Sequence, residues 1–360
     1  MDIQTTIAAF QTSGSPTAHK PFGHGHINST FKVTTSTGCE YVLQKINKYV
    51  FKNPIWVMDN ISQVTNYLRE HTGDPTCTLH YIPTKDGKYY YQDNEGEFWR
   101  MYDFVGGFSL DLPETEADFY ESAVAFGRFQ EMLTAFPADT LHEIIPNFHN
   151  TIDRYRKFHN SISADSVGRC AGVKEELKFY LDREQLGGTL QTMLDNGELP
   201  LRVTHNDTKL NNVLFDKNTR KGRCVIDLDT VMPGLSVYDF GDSIRFGAAT
   251  AAEDEKDLSK MQMDLHLFQV YTQGFLDAAP SLTAQEVKML PMGALIMTLE
   301  CGLRFLTDYL DGDLYFRVAY PEHNLVRSRT QMALVADMQA KWDEMNRIVY
   351  EEATKRGWEL

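Results

Sequence analysis

The sequence predicts an α+β chain in two parts, a small antiparallel sheet carrying one helix followed by a larger, mainly helical part. Two observations carry this expectation. Up to about residue 105 the chain shows short β-branched and aromatic runs separated by turn residues. Beyond it, apolar residues recur at helical spacing. A length of 360 residues agrees with two lobes. The expected division is residues 1–105 and residues 106–360.

Residues 30–35 alternate as a strand, Thr37-Gly38 turns the chain, and residues 40–46 return. Residues 60–70, following Pro54, read as one helix among the strands. Asp86-Gly87 turns Tyr81-Ile82-Pro83 into Tyr89-Tyr90-Tyr91, and residues 93–96 turn that run into residues 98–105. Gly106-Gly107 is the hinge candidate, since glycine absorbs backbone rotation cheaply. Helices are expected over residues 116–136, 174–181 and 258–276, over 282–310 as two helices, and over 324–354. Residues 201–230 interrupt this pattern with two short apolar runs flanking polar residues.

A formal charge of −15 argues against a nucleic-acid partner, which needs a basic footprint. It is compatible with a nucleotide accompanied by Mg²⁺. The five cysteines are odd in number, spread out and without C-x-x-C pairing, which reads as reduced thiols in the cytosol. Residues 1–10 lack the basic and apolar regions of a signal peptide. The longest apolar stretch, residues 289–303, is short for a bilayer span and contains Glu300, so a buried helix suits it better. The expectation is a cytoplasmic protein with no membrane partner, a monomer or weak dimer.

The strongest chemical signal is His205-x-Asp207-x-Lys209-x-x-Asn212, followed by the apolar run Val213-Leu214-Phe215. Asp227 ends a second apolar run, Cys224-Val225-Ile226. Phosphoryl transfer asks a protein to orient the attacking hydroxyl, stabilise moving charge and anchor Mg²⁺. The Asp207 carboxylate suits the hydroxyl proton, and the Lys209 ammonium suits the γ-phosphate. The Asn212 amide oxygen and the Asp227 carboxylate are hard donors of the kind Mg²⁺ prefers. Hairpin pairing around Val213 and Val225 would bring Asn212 and Asp227 to one mouth. Any one of these residues alone is better read as a polar turn or strand end; the ordered set carries the signal.

With Ile226-Asp227-Leu228-Asp229 and Tyr238-Asp239-Phe240-Gly241-Asp242, this loop resembles the aminoglycoside phosphotransferase/choline kinase superfamily, relatives of protein kinases. Within it, residues 202–212, 239–247, 253–260, 300–316 and 320–327, and Gly25-His26-Ile27-Asn28, look most like the bifidobacterial N-acetylhexosamine 1-kinase type. The resemblance implies a bilobal protein-kinase-like fold, with residues 1–105 as the nucleotide lobe and residues 106–360 as the catalytic and acceptor lobe. It implies ATP as co-substrate, Mg²⁺, an N-acetylhexosamine acceptor, Asp207 as catalytic base, and Asn212 and Asp227 as metal ligands. His205 and Asp239 would support the loop. Asp229 has two roles of equal weight, in the metal shell or on a sugar hydroxyl.

Residues 22–28, with Gly23, Gly25 and His26, sit where a glycine-rich phosphate loop is expected, although a plain turn is an equal reading. In the kinase pattern, the run Tyr41-Val42-Leu43 would be followed by a lysine. Here Gln44 stands there, with Lys45 next, and strand alternation points Lys45 to the opposite face unless a bulge turns it. This leaves the α/β-phosphate contact unassigned. Residues 100–104, including Met101, Tyr102 and Phe104, are the expected adenine-facing segment by lobe order and resemblance. On the acceptor side, Arg304 and Asp308 lie four apart, read as a surface ion pair or as a polar cluster reaching the sugar beside Tyr315.

Overall fold

Strand β2 (Ser29–Thr35) pairs antiparallel with β3 (Glu40–Ile46), and β3 pairs antiparallel with β5 (Phe98–Asp103). Strands β1 (Pro16–Pro21) and β4 (Tyr91–Gln92) complete a sheet of order β1-β2-β3-β5-β4. The computed structural model describes residues 3–23 and 28–360, so the glycine-rich segment's Gly25 and His26 lie outside the described residues. The turns at Gly38 and Gly87, with φ of 80° and 83°, need the left-handed freedom of glycine.

The sheet obeys the two-residue period. Tyr41 and Leu43 of β3 and Trp99 and Met101 of β5 cluster with Ile7, Phe10, Val33 and Ile82, all buried. Each large apolar side chain so buried contributes roughly 1.5–3 kcal/mol. The opposite face of β3 and β5 sets Gln44 directly across from Arg100. Strand β1 was not expected, because Pro-Thr-Ala-His-Lys-Pro is polar and mostly exposed and lacks the alternation of a half-buried strand. The expected strand over residues 81–83 is reduced to one bridge, Tyr81 to Tyr102.

The chain forms two compact units, each made from three segments. The first comprises residues 1–109, 135–146 and 212–233. It holds the five-stranded sheet, the helix Pro54–His71, and a hairpin of β7 (Val213–Phe215) with β8 (Gly222–Val225). Gly107 lies against the Phe215 carbonyl, where a Cβ would come within 2.8 Å, and Phe108 and Phe215 exchange backbone hydrogen bonds.

The second unit comprises residues 110–134, 147–211 and 234–360. Its helices include Glu116–Met132, opened by a Thr115/Asp118 capping box, and Lys174–Leu181. The expected helix over 258–276 is split: a short turn at Leu258–Lys260 is followed by the helix Leu265–Ala278, capped by Asp264. Residues 282–310 form two helices, Ala284–Lys288 and Leu290–Asp311, and residues 324–354 fall in His323–Ala340 and Trp342–Lys355. Leu290–Asp311 is apolar and long enough to cross a membrane, but 78% of its apolar window is buried inside the fold, as a core helix would be.

Thr151–Ala164 and Ser236–Gly247 are the two longest of several helices that escaped the sequence reading. Thr151–Ala164 is polar over most of its length, and Ser236–Gly247 is short and buried on nearly all sides. Ser236–Gly247 crosses Leu290–Asp311 at two glycines. A Cβ on Gly241 would strike the Gly293 carbonyl, and one on Gly293 would strike the Val237 carbonyl. This close crossing sets the depth of the helix that carries Asp239.

Candidate active site

In the second unit, β6 (Arg202–Thr204) delivers the chain into the loop of His205, Asn206 and Asp207. Asn206 is left-handed, with φ 64°, a conformation asparagine tolerates better than most residues. The fully buried Asp239 carboxylate accepts from the His205 N–H (2.9 Å), the Asn206 N–H (2.8 Å) and Gln130 Nε2 (2.7 Å). Burial pushes the Asp239 carboxyl up, against the lowering effect of His205 and these donors. Thr208 Oγ1 donates to the Asp239 carbonyl at 2.5 Å, and Ser243 Oγ donates to the Thr208 carbonyl at 2.6 Å. His205 is buried edge-on to Phe126 and Phe129, and its Nδ1 faces the Asp207 N–H at 3.3 Å.

Lys209 Nζ lies 2.9 Å from Asp207 Oδ1. Asp207 raises the affinity of Lys209 for its proton, and Asp242 adds to the effect against the opposing cost of burial. Asp242 in turn pairs with the buried Arg245, which also reaches Glu253 at 2.9 Å. The base candidate therefore belongs to an alternating series of charges, each carboxylate facing a cation.

A group that the sequence did not flag stands behind this loop. His149 is buried, with Nε2 3.3 Å from the Asn206 carbonyl and Nδ1 3.0 Å from Glu300 Oε1. Thr151 Oγ1 donates to Glu300 Oε2 at 2.7 Å. Burial opposes ionisation of Glu300, but His149, Arg154 and Arg304 hold its carboxyl below the ordinary range.

In the first unit, the β7–β8 register pairs Val213 with Val225, and the Ile226 N–H donates to the Asn212 carbonyl at 2.8 Å. Asn212 and the residue after Ile226, Asp227, thus lie at one mouth of the hairpin. Asp227 is left-handed, with φ 58°, and opens the short turn Leu228–Thr230. One amide oxygen and one carboxylate fit Mg²⁺, which keeps waters and phosphates in its shell and seldom uses an all-protein cage. Among the described residues no group of three His, Cys, Asp or Glu side chains forms such a cage.

Asp229 is buried and committed to partners in the first unit. It forms an ion pair with the buried guanidinium of Arg100 and accepts from Asn28 Nδ2 at 2.6 Å. Arg100 Nε donates to Gln44 Oε1 at 2.9 Å, and Gln44 Nε2 donates to Thr30 Oγ1 at 3.1 Å. Burial works against the charge on Arg100, and Asp229 together with Tyr81 and Tyr102 more than offsets it. The register of β3 runs unbroken from Glu40 to Ile46, so no bulge turns Lys45 inward; it faces Trp99. The positive charge beside Gln44 comes from the neighbouring strand.

Gly23 follows β1 with φ 79°, and the preceding Phe22 N–H donates to the Thr30 carbonyl. In residues 101–104 several backbone groups are already engaged. The Met101 carbonyl accepts from Ile82, the Asp103 N–H donates to His80, and the Phe104 N–H donates to Glu40. The Met101 side chain is fully buried in the sheet's core, Tyr102 packs on Tyr81 with centroids 5.3 Å apart, and Lys32 lies over the Phe104 ring.

Arg304 does not pair simply with Asp308. Its guanidinium lies 5.5 Å from the ring centroids of Phe148 and Phe316 and 5.9 Å from that of Tyr315. Asp308 is buried and accepts from the Leu314, Tyr315 and Phe316 N–H groups and from Asn324 Nδ2. It shapes the segment that presents Tyr315, which is 65% exposed. A cavity of ≈ 110 Å³ is lined by Arg154, Lys157, Arg304, Asp308, Tyr315 and Phe316, among others. A larger cavity of ≈ 710 Å³ beside Glu176, Phe179 and Tyr320 contains none of the expected site residues.

The fold resembles solved small-molecule kinases. A microcompartment-associated aminopropanol kinase matches with TM-score 0.63 and 16% identity, covering 96% of this chain and 98% of that one. An aminoglycoside phosphotransferase from Alicyclobacillus acidocaldarius matches with TM-score 0.63 and 13% identity, covering 98% and 97%. A choline kinase from Cryptosporidium parvum matches with TM-score 0.55 and 14% identity, covering 93% and 92%. The family model for APH, the phosphotransferase enzyme family, matches residues 18–262, more than half of the sequence, and the chain therefore belongs to that family.

Proposed function

We propose that the protein transfers the γ-phosphoryl group of ATP to the anomeric 1-hydroxyl of an N-acetylhexosamine, N-acetylglucosamine or N-acetylgalactosamine, giving the sugar 1-phosphate and ADP. The observation that carries the reaction class is the loop of Asp207, whose backbone is held by the buried Asp239 and whose carboxylate faces Lys209. Asp207 accepts the hydroxyl proton as the sugar oxygen bonds to phosphorus, and the bond from phosphorus to the β-phosphate oxygen breaks. A hemiacetal hydroxyl is more acidic than an ordinary alcohol, so an ordinary carboxylate suffices as base. Lys209 stabilises charge on the moving phosphoryl group. Asn212 and Asp227 would hold Mg²⁺, which supplies charge neutralisation on the nucleotide phosphates.

The acceptor assignment rests on the likeness around residues 300–316 and on the cavity beside Arg304. Its basic residues are Arg154, Lys157 and Arg304, and of its two acids, Asp308 is already occupied by backbone N–H groups. Such a lining favours a neutral, hydroxyl-rich acceptor over a cationic one such as choline or an aminoglycoside. Tyr315 and Phe316 offer apolar faces of the kind a sugar ring stacks on. Incubation with MgATP and a panel of N-acetylhexosamines, choline, ethanolamine and an aminoglycoside, followed by ³¹P NMR, tests the assignment. The expected product carries an anomeric phosphate. A 6-phosphate, or turnover of the amines alone, overturns it.

A further inference from the structure

The peptide group joining Asn206 to Asp207 is held at both ends. Its N–H, on Asp207, points at His205 Nδ1, and its carbonyl, on Asn206, faces His149 Nε2. The N–H on the other side of Asn206 is fixed by Asp239. This peptide sets where the Asp207 carboxylate points, because Asp207 begins at its nitrogen. A carbonyl oxygen only accepts, so the contact to Asn206 is made by a proton on His149 Nε2. The ring of His149 is oriented from behind by Glu300, which is itself fixed by Thr151, and is packed against Phe148 and Tyr238. Buried acids rarely sit fully enclosed without such partners. Glu300 also lies one helical turn before Arg304, so one helix face carries both the support of the loop and a cation of the cavity.

We infer that His149 and Glu300 are positioning residues for Asp207: Glu300 orients His149, and His149 pins the Asn206 carbonyl so that the catalytic carboxylate is aimed. This rests on the reading of Asp207 as base. Neither residue touches substrate in this scheme, so their loss degrades turnover while leaving nucleotide binding nearly intact.

The test uses the full chain with MgATP and N-acetylglucosamine, or MgATP hydrolysis with water as acceptor should that sugar not be turned over. The variants are H149A, H149Q, E300Q, D207N and the double variant H149A/D207N. H149A is expected to lose on the order of 100-fold in kcat, since a misplacement of about 1 Å can cost that much, with the KM for ATP changed less than about 3-fold. H149Q, whose amide can reach the position of Nε2, is expected to recover about 10-fold of that loss, and E300Q to fall between wild type and H149A. Adding H149A to D207N is expected to cost little more, because the group being aimed is gone. A wild-type kcat in H149A, equal loss in H149A and H149Q, or a full additional loss in the double variant overturns the inference. If D207N itself retains wild-type turnover, it is the assignment of the base that fails. If D207N is crippled and H149A is not, only the positioning role fails.

Discussion

Arg100 on β5 and Asp229 in the turn after β8 form a buried ion pair, with Gln44 accepting a further hydrogen bond from Arg100 and Asn28 donating one to Asp229. Asp229 stands two residues after Asp227, so this pair fixes the backbone on which the metal-ligand candidate sits. Removing one partner strands a charge in a dry environment. R100M or D229A is expected to cost about 3–5 kcal/mol in denaturant unfolding, whereas R100M/D229L is expected to cost far less. A loss from either single variant no larger than that from the double would contradict the arrangement.

Asp207 is the proposed base. D207N is expected to lower kcat by about 10²–10⁴-fold while leaving the circular dichroism spectrum and melting temperature close to wild type, because the side chain is partly exposed and asparagine keeps its shape. Steady-state kinetics alongside thermal unfolding decides this.

Asn212 and Asp227 share one hairpin mouth, and losing one hard oxygen donor weakens a two-donor site more than it weakens the fold. N212A is expected to raise the Mg²⁺ concentration for half-maximal activity by about 10-fold or more, in line with lost ligand contacts. Activity measured across a Mg²⁺ titration at fixed ATP checks it, and an unchanged midpoint would remove Asn212 from the ligand set.

Asp308 accepts four hydrogen bonds, three of them from the backbone that presents Tyr315. D308A is expected to cost about 3 kcal/mol or more, since several buried donors lose their partner together. R304A is expected to leave stability nearly unchanged and to raise the KM for the acceptor. Equal effects of both variants on stability would contradict these separate roles.

Glu352 provides a pH signature. Burial alone would raise its carboxyl, but Lys355, Gln269, Arg356 and Gln273 pull it down to about 2. A carboxyl depressed in the folded state stabilises above its unfolded value, near 4.5, and loses that contribution as pH falls toward about 2. The difference in melting temperature between wild type and E352Q is therefore expected to be largest above about pH 5 and to shrink on acidification. A gap that widens toward low pH would contradict the assignment.

Residues 205–212 stand out in the sequence because their proposed roles are local: the candidate base, cation and metal donor lie in eight consecutive positions. The hairpin register followed from two apolar runs and was found as expected at Val213 and Val225. His149 gave no such signal, because its partners Asn206 and Glu300 are 57 and 151 positions away and only the folded chain assembles them. Arg100 was hidden for a similar reason. The sequence placed Arg100 only within the expected adenine-facing segment, and its pairing across from Gln44 and its burial emerge only in the folded sheet. Asp308 was misjudged by helical spacing. Left-handed Gly312 and Asp313 turn the chain back over the helix end, so its neighbours are backbone N–H groups and not Arg304 alone.

The first unit is assembled from three stretches of chain, the last of which ends at Pro233. During synthesis its sheet can emerge early, but the hairpin bearing Asn212 and Asp227 leaves the ribosome only after the whole segment 147–211 of the other unit. At about 5–20 residues per second, the delay between the last sheet strand and that hairpin is on the order of ten seconds. A nascent chain arrested before residue 212 therefore displays a nearly complete sheet without either proposed metal ligand, and Asp229 is not yet available to neutralise Arg100. Folding of this unit is vectorially incomplete by design of the chain order, and a truncation at any single point before Pro233 removes chemistry as well as structure.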